Sequence, residues 1–178
     1  GSGVVDDLTW LACSSANELL ELFGKARKNI VYAETRMNKA SSRSHACFQS
    51  RVSRRPRQGD TNSGTVATLA VVDFAGSERV QPSGATGKEF KEAVNINGSL
   101  LALGNVVSAL ATGKKHVPFR DSKLTRLLEG RVGGNCRTNL IVCCSPSADS
   151  ASESVSALSF AARAMKVTVS ATINEFDD

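Results

Sequence analysis

Asp73-Phe74-Ala75-Gly76-Ser77-Glu78 follows the β-rich run Thr65–Val72, and a second polar string, Asn38-Lys39-Ala40-Ser41-Ser42-Arg43-Ser44-His45, leads into another such run. Residues 45–53 alternate well enough to form a strand. The stretch between the runs, with Arg54, Arg55, Pro56, Arg57, Gly59 and Gly64, is a basic Gly/Pro-containing loop. A hairpin over 45–73 is the simplest arrangement, with one polar string at its entry and the other at its exit.

The residue types in these strings suit one chemistry. Ser41 and Ser42 offer short hydroxyls that can reach a terminal phosphate oxygen or the water shell of a Mg²⁺ ion. Asp73, read as the end of a buried strand, is where a carboxylate behind those waters belongs. Gly76, three residues on, lets a bare backbone N–H approach a phosphate. Arg43 and Glu78 carry opposite charges, one on each string, and a salt bridge between them would latch the strings together. No phosphate-cradling G-x-x-x-x-G-K-[ST] loop occurs in the sequence. Its nearest approach ends in Gly87-Lys88-Glu89, where Pro82 takes the place of the first Gly and the Glu89 carboxylate would repel phosphate.

Helical periodicity accounts for much of the rest. Residues 15–28 form an amphipathic pattern that Ser14 or Ser15 can cap, with acids early and bases late. From Lys88 to about Ala111, Ala93, Ile96, Leu100, Leu103, Val107 and Leu110 recur at three- and four-residue spacing, and Gly113 stops the helix. Pro118 keeps Val117 extended, Asp121 or Ser122 opens a short helix through Glu129, and Thr138–Ser145 reads as a buried strand stopped by Pro146. A last helix carries Val155, Leu158, Ala162 and Met165, and the tail from Val167 is β-prone, then acidic. Strands alternating with crossover helices define an α/β layered architecture.

The 178 residues make about one domain, with 41% hydrophobic and 22% charged residues, as in an ordinary globular chain. No apolar run is long enough to span a bilayer, and no signal-peptide pattern opens the chain. Cys13, Cys47, Cys136, Cys143 and Cys144 form no C-x-x-C pair, and three lie in apolar, strand-like surroundings. They read as reduced, mostly structural thiols of a cytosolic protein. The net charge of +5 clusters around 113–126 and at Arg51–Arg57, which leaves nucleic acid and an acidic protein lattice both open on charge alone. No aromatic stacking pattern supports a nucleic-acid partner. His45 reads as a structural residue beside the first string, and neither it nor His116 suggests a metal site.

Six motifs in order resemble kinesin motor domains. Asn38–His45 is similar to the family's first nucleotide switch, and Asp73–Glu78 to the second, with Phe74 where Leu is usual. Asn95-Ile96-Asn97 with Ser99-Leu100 resembles its relay helix. Val117-Pro118-Phe119-Arg120-Asp121-Ser122-Lys123-Leu124-Thr125-Arg126 resembles its microtubule-contacting loop and helix. Gly133-Gly134-Asn135 with Ser145-Pro146 and Phe160-Ala161-x-Arg163-Ala164 follow in the family's order.

The resemblance implies a partial P-loop NTPase layer fold, with a central, mostly β sheet flanked by helices. Residues 4–166 would be the C-terminal half of a motor domain, 1–3 a vector remnant and 167–178 a neck-linker-like tail. ATP or ADP with Mg²⁺ would be held only together with the N-terminal half, the second expected partner besides microtubules. Asn38, Ser41, Ser42, Asp73 and Gly76 would contact the nucleotide, Ser42 and Asp73 would serve the Mg²⁺, and Arg43 and Glu78 would form the catalytic latch. Lys114, Lys115, Arg120, Lys123 and Arg126 would face tubulin, in the cytoplasm and on the cytoskeleton, with neither nucleic acid nor membrane as partner. This chain alone is expected not to hydrolyse ATP. The alternative is a non-catalytic kinesin-like module that binds microtubules or a protein partner. Gly98 stands where the family usually has Lys, Met165 where it often has Lys, and the Asn expected at the start of the neck linker is absent.

Overall fold

The computed structural model describes residues 8–28, 44–55, 63–76 and 88–176, and within the last span the side chains from residue 97 onward. The chain divides into two compact units, one drawn from Val5–Gly76 with Ile173–Asp178, the other mainly from Ser77–Thr172.

The first unit is a three-stranded antiparallel sheet with one helix. Helix α1 (Ala16–Arg27) is capped by Ser15, whose hydroxyl accepts from the Glu18 N–H at 3.2 Å. Ser15 thus satisfies one donor orphaned at the helix start, and Glu18 reaches back to the Ser14 N–H, one residue ahead of the cap, at 2.8 Å. Strands β1 (Ala46–Arg54) and β2 (Gly64–Asp73) pair in register from Ala46↔Asp73 to Arg54↔Thr65, which is the expected hairpin. Phe23 of α1 meets Phe48 of β1 edge-on at 4.9 Å.

The third strand is β3 (Asn174–Phe176), which adds to β2 with Gly64 opposite Phe176. A Cβ on Gly64 would lie 2.5 Å from the Phe176 ring, so the absence of a side chain there lets the tail close onto the sheet. β2 is not the buried strand the sequence suggests, since Leu69 and Val71 are exposed.

The second unit is built on helix α2 (Lys88–Ala111), with the bounds its periodicity predicts. Its buried residues are Ala102, Leu103, Val106, Val107 and Ala109, a stripe at helical spacing that includes two of the expected core positions. Leu100 and Leu110 are half-buried, and the expected Ala93 and Ile96 lie outside the described side chains. Against α2 pack the short helix α3 (Lys123–Leu127), which buries Leu124 and Thr125 and is followed by buried Leu128, and helix α4 (Ala151–Ala164). Gly133 has φ +73°, and a Cβ there would lie 2.6 Å from the Leu110 side chain. The neighbouring Asn135 Oδ1 accepts from the Thr172 N–H at 2.7 Å, which anchors the start of the tail.

Thr138–Ser145 departs from expectation. It is neither a strand nor buried: Ile141 is 87% exposed, and Leu140, Cys143 and Cys144 are also open to solvent. A strand needs a neighbour for its alternate N–H and C=O groups, and none of the described residues forms a ladder with it. The strand-like, apolar surroundings expected for Cys143 and Cys144 as structural thiols are therefore absent. Cys13 is exposed too, while Cys47 and Cys136 are half-buried, and all five are free of disulfides.

Candidate functional site

The exit of the hairpin is ordered by a side chain from its entry. The β1–β2 ladder ends at Ala46↔Asp73. Just beyond it the His45 Nδ1 accepts from the Ala75 N–H at 3.1 Å, and the imidazole stands edge-on to the Phe74 ring at 6.0 Å. An acceptor Nδ1 requires a neutral ring protonated on Nε2. Partial burial favours that form by pushing the His45 pKa below its ordinary value. Ala75 is 2% exposed, Gly76 half-buried and Asp73 exposed at the end of β2. Asp73 and Gly76 therefore stand at one end of the hairpin. Asn38, Ser41, Ser42, Arg43 and Glu78 lie outside the described residues, and so does the Arg43–Glu78 bridge.

The second candidate region is basic. α2 ends with Gly113 in the left-handed region at φ +63°, the Gly113 N–H donating to the Leu110 carbonyl at 3.1 Å and the Lys114 N–H to the Ala109 carbonyl at 3.0 Å. This paired closure turns the chain sharply and leaves Lys114 and Lys115 exposed. Pro118 then leads into a 3₁₀ turn at Phe119–Asp121, followed by α3. Ser122 caps α3 by accepting from the Thr125 N–H at 3.0 Å, and the Thr125 hydroxyl accepts in return from the Ser122 N–H at 3.1 Å. Thr125 also donates to the Phe119 carbonyl at 2.8 Å, and it is 0% exposed.

The outcome is a division of labour along α3. Leu124, Thr125 and Leu128 face the core, while Arg120, Lys123 and Arg126 are exposed. Lys114, Lys115, Arg120, Lys123 and Arg126 thus lie on one segment of thirteen residues in which Asp121 is the single acid. Beside them runs an open groove of about 500 Å³ lined by Asn105, Ser108, Ala109, Lys114, His116 and Pro118.

His45 is the structural residue that its place beside the first string suggests, while the role of Thr125 was not assigned from the sequence. Thr125 was legible in the spacing Ser122-x-x-Thr125, the pattern of a capping box with Thr in the place of Glu. The contact of His45 to a peptide 30 residues away had no local signal.

A family profile described as the kinesin motor domain matches residues 1–167. The chain is 46% identical over 162 residues to a kinesin heavy chain of Strongylocentrotus purpuratus, which covers 90% of this chain and 16% of that protein. It is 44% identical over 162 residues to kinesin heavy chain isoform 5C of Rattus norvegicus, covering 90% of this chain and 17% of that one. Among solved structures it matches KIF14[391-772], a dimer in a two-heads-bound state with AMP-PNP in complex with a microtubule. That match has TM-score 0.87 and 35% identity, over 96% of this chain and 49% of that one. The ADP form of KIF14[391-755] in complex with a microtubule matches at TM-score 0.77 and 34% identity, over 97% of this chain and 50% of that one. These relatives and the three-stranded sheet with its helices define a partial α/β motor fold. The chain belongs to the kinesin motor-domain family. It spans about half the length of the solved motor chains it matches and a much smaller share of the heavy chains.

Proposed function

We propose that this chain is the microtubule-engaging, nucleotide-sensing half of an ATP-dependent motor domain. The observation that carries this reading is the exposed basic segment Lys114–Arg126, folded back on α2 by Gly113 and held by Thr125. Exposed cations on a rigid frame steer toward an acidic lattice. Both matched KIF14 structures are complexes with microtubules, which supports tubulin as that lattice. Cytoskeletal location in the cytoplasm follows from the same partner. No helix among the described residues is long and apolar enough to cross a membrane.

The nucleotide part of the reading rests on the two strings. The described donors fit a Mg²⁺–nucleotide in a limited, specific way. Mg²⁺ keeps much of its water shell and takes one or two carboxylates besides phosphate oxygens. Asp73 is such a carboxylate, exposed at a strand end, and no cluster of three or more His, Cys, Asp or Glu side chains occurs among the described residues. In this reading Ser41 and Ser42 with Asn38 contact the nucleotide, with Ser42 and Asp73 toward the Mg²⁺. Gly76 senses the terminal phosphate, and Arg43 and Glu78 form the latch. The N-terminal half of a motor domain supplies the phosphate loop.

Co-sedimentation with stabilised microtubules tests the basic face. Pelleting is expected, weakening with salt, and the triple variant R120E/K123E/R126E abolishes it; unchanged pelleting of the variant removes these residues from the site. Adding the N-terminal half of the sea-urchin relative's motor domain tests the nucleotide part. The complex should hydrolyse Mg-ATP, and Gly76→Ala should cost most of that activity. Undiminished hydrolysis by the Gly76→Ala complex overturns the nucleotide reading. A complex that pellets with microtubules yet never hydrolyses ATP supports the non-catalytic module instead.

A further inference from the structure

His45 does what the ladder stops doing. In an antiparallel pair, N–H groups beyond the last backbone partner must find another acceptor or water. Ala75 stands two residues past the last pair, Ala46↔Asp73, and is nearly inaccessible, so water is a poor substitute. The His45 imidazole supplies the acceptor at 3.1 Å, and Phe74 packs edge-on against the same ring.

The tie joins two segments with different expected duties. His45 is the last residue of the string that holds Ser41 and Ser42, and Ala75 directly precedes Gly76. The hydrogen bond fixes the Phe74–Ala75 peptide plane. Only the two soft dihedrals of Ala75 then separate that plane from the Gly76 N–H.

We propose that His45 is a positioning residue that couples the entry of the hairpin to the Gly76 amide, holding the Phe74–Ala75 peptide through Nδ1. This rests on the nucleotide reading of the two strings and extends it to a residue outside the expected contact set. The coupling is stereospecific. Nδ1 is three bonds from Cα, as is Oδ1 of Asn, whereas Oε1 of Gln is four bonds away, like Nε2.

Amide hydrogen exchange of the 178-residue chain, read by NMR without nucleotide, tests it. In His45→Ala and His45→Gln the Ala75 amide should exchange at least about tenfold faster, with the β1–β2 ladder amides within about twofold of the parent. His45→Asn should return Ala75 toward the parental rate. An unchanged Ala75 rate in His45→Ala overturns the proposal. So does equal acceleration throughout the ladder, which would make His45 a general support of the sheet, and so does failure of Asn to rescue. Because nucleotide plays no part in this measurement, its failure is distinct from that of the nucleotide reading, which the Gly76→Ala complex decides.

Discussion

The Thr125 hydroxyl donates to the Phe119 carbonyl at 2.8 Å from a side chain with no exposure to solvent. It thereby ties the 3₁₀ turn that carries Arg120 to the helix that carries Lys123 and Arg126. Thr125→Val keeps the volume but leaves the Phe119 carbonyl and the Ser122 N–H without this partner. The expected loss is about 1–3 kcal/mol, read from urea unfolding by circular dichroism. Thr125→Ser keeps the hydroxyl and should retain most of the stability. Microtubule pelleting should fall in Thr125→Val although no charge has changed. Full pelleting by a destabilised Thr125→Val would show that the cations act without a fixed frame.

Hydrolysis by this chain alone should not exceed the buffer blank, with or without microtubules. In the proposed reading the strings meet a terminal phosphate only when something holds the rest of the nucleotide, and the sequence has no phosphate loop. Phosphate release from purified chain is the measurement. Microtubule-stimulated turnover would mean that another segment grips the nucleotide.

Acid should weaken the sheet unit through His45. Its folded-state pKa lies below the ordinary 6.5 because partial burial disfavours the imidazolium. The unfolded chain therefore binds more protons than the folded one below that value, and stability falls as pH drops from about 6.5 through the folded-state pKa. Glu18 acts in the same direction lower down. The Ser14 N–H and hydroxyl hold its carboxyl below the usual 4.5, so its contribution is lost as pH falls below that value. Urea midpoints between pH 7.5 and 5 should decline in the parent and less in His45→Asn, which has nothing to titrate there. Parallel declines in the two proteins would assign the effect elsewhere.

What the sequence discloses follows the range of the forces involved. α2 was legible to its bounds because its apolar spacing and Gly113 are local signals, and the hairpin because two β-rich runs flank one turn-forming loop. The same reasoning failed at Thr138–Ser145. The apolar, β-prone residues there read as a buried strand, but burial requires a neighbour that local composition cannot specify. The third strand came instead from Asn174–Phe176, where Gly64 admits the Phe176 ring. In the candidate site, the cations of residues 114–126 were evident as a charge cluster. The ties that arrange the two regions, Thr125 to Phe119 and His45 to Ala75, depend on tertiary geometry.

Gly98 offers a direct separation of helix stiffness from charge. It lies exposed within α2, and a Cβ built there meets nothing within 4 Å. Glycine at an exposed helix interior costs about 1 kcal/mol relative to alanine, so Gly98→Ala should raise stability by roughly that amount. Gly98→Lys should raise it slightly less and add one cation. If the filament contact is electrostatic, only Gly98→Lys tightens microtubule pelleting, and the gain fades as salt shortens the screening length. Equal tightening by both variants would instead assign the effect to the stiffness of α2 rather than to charge.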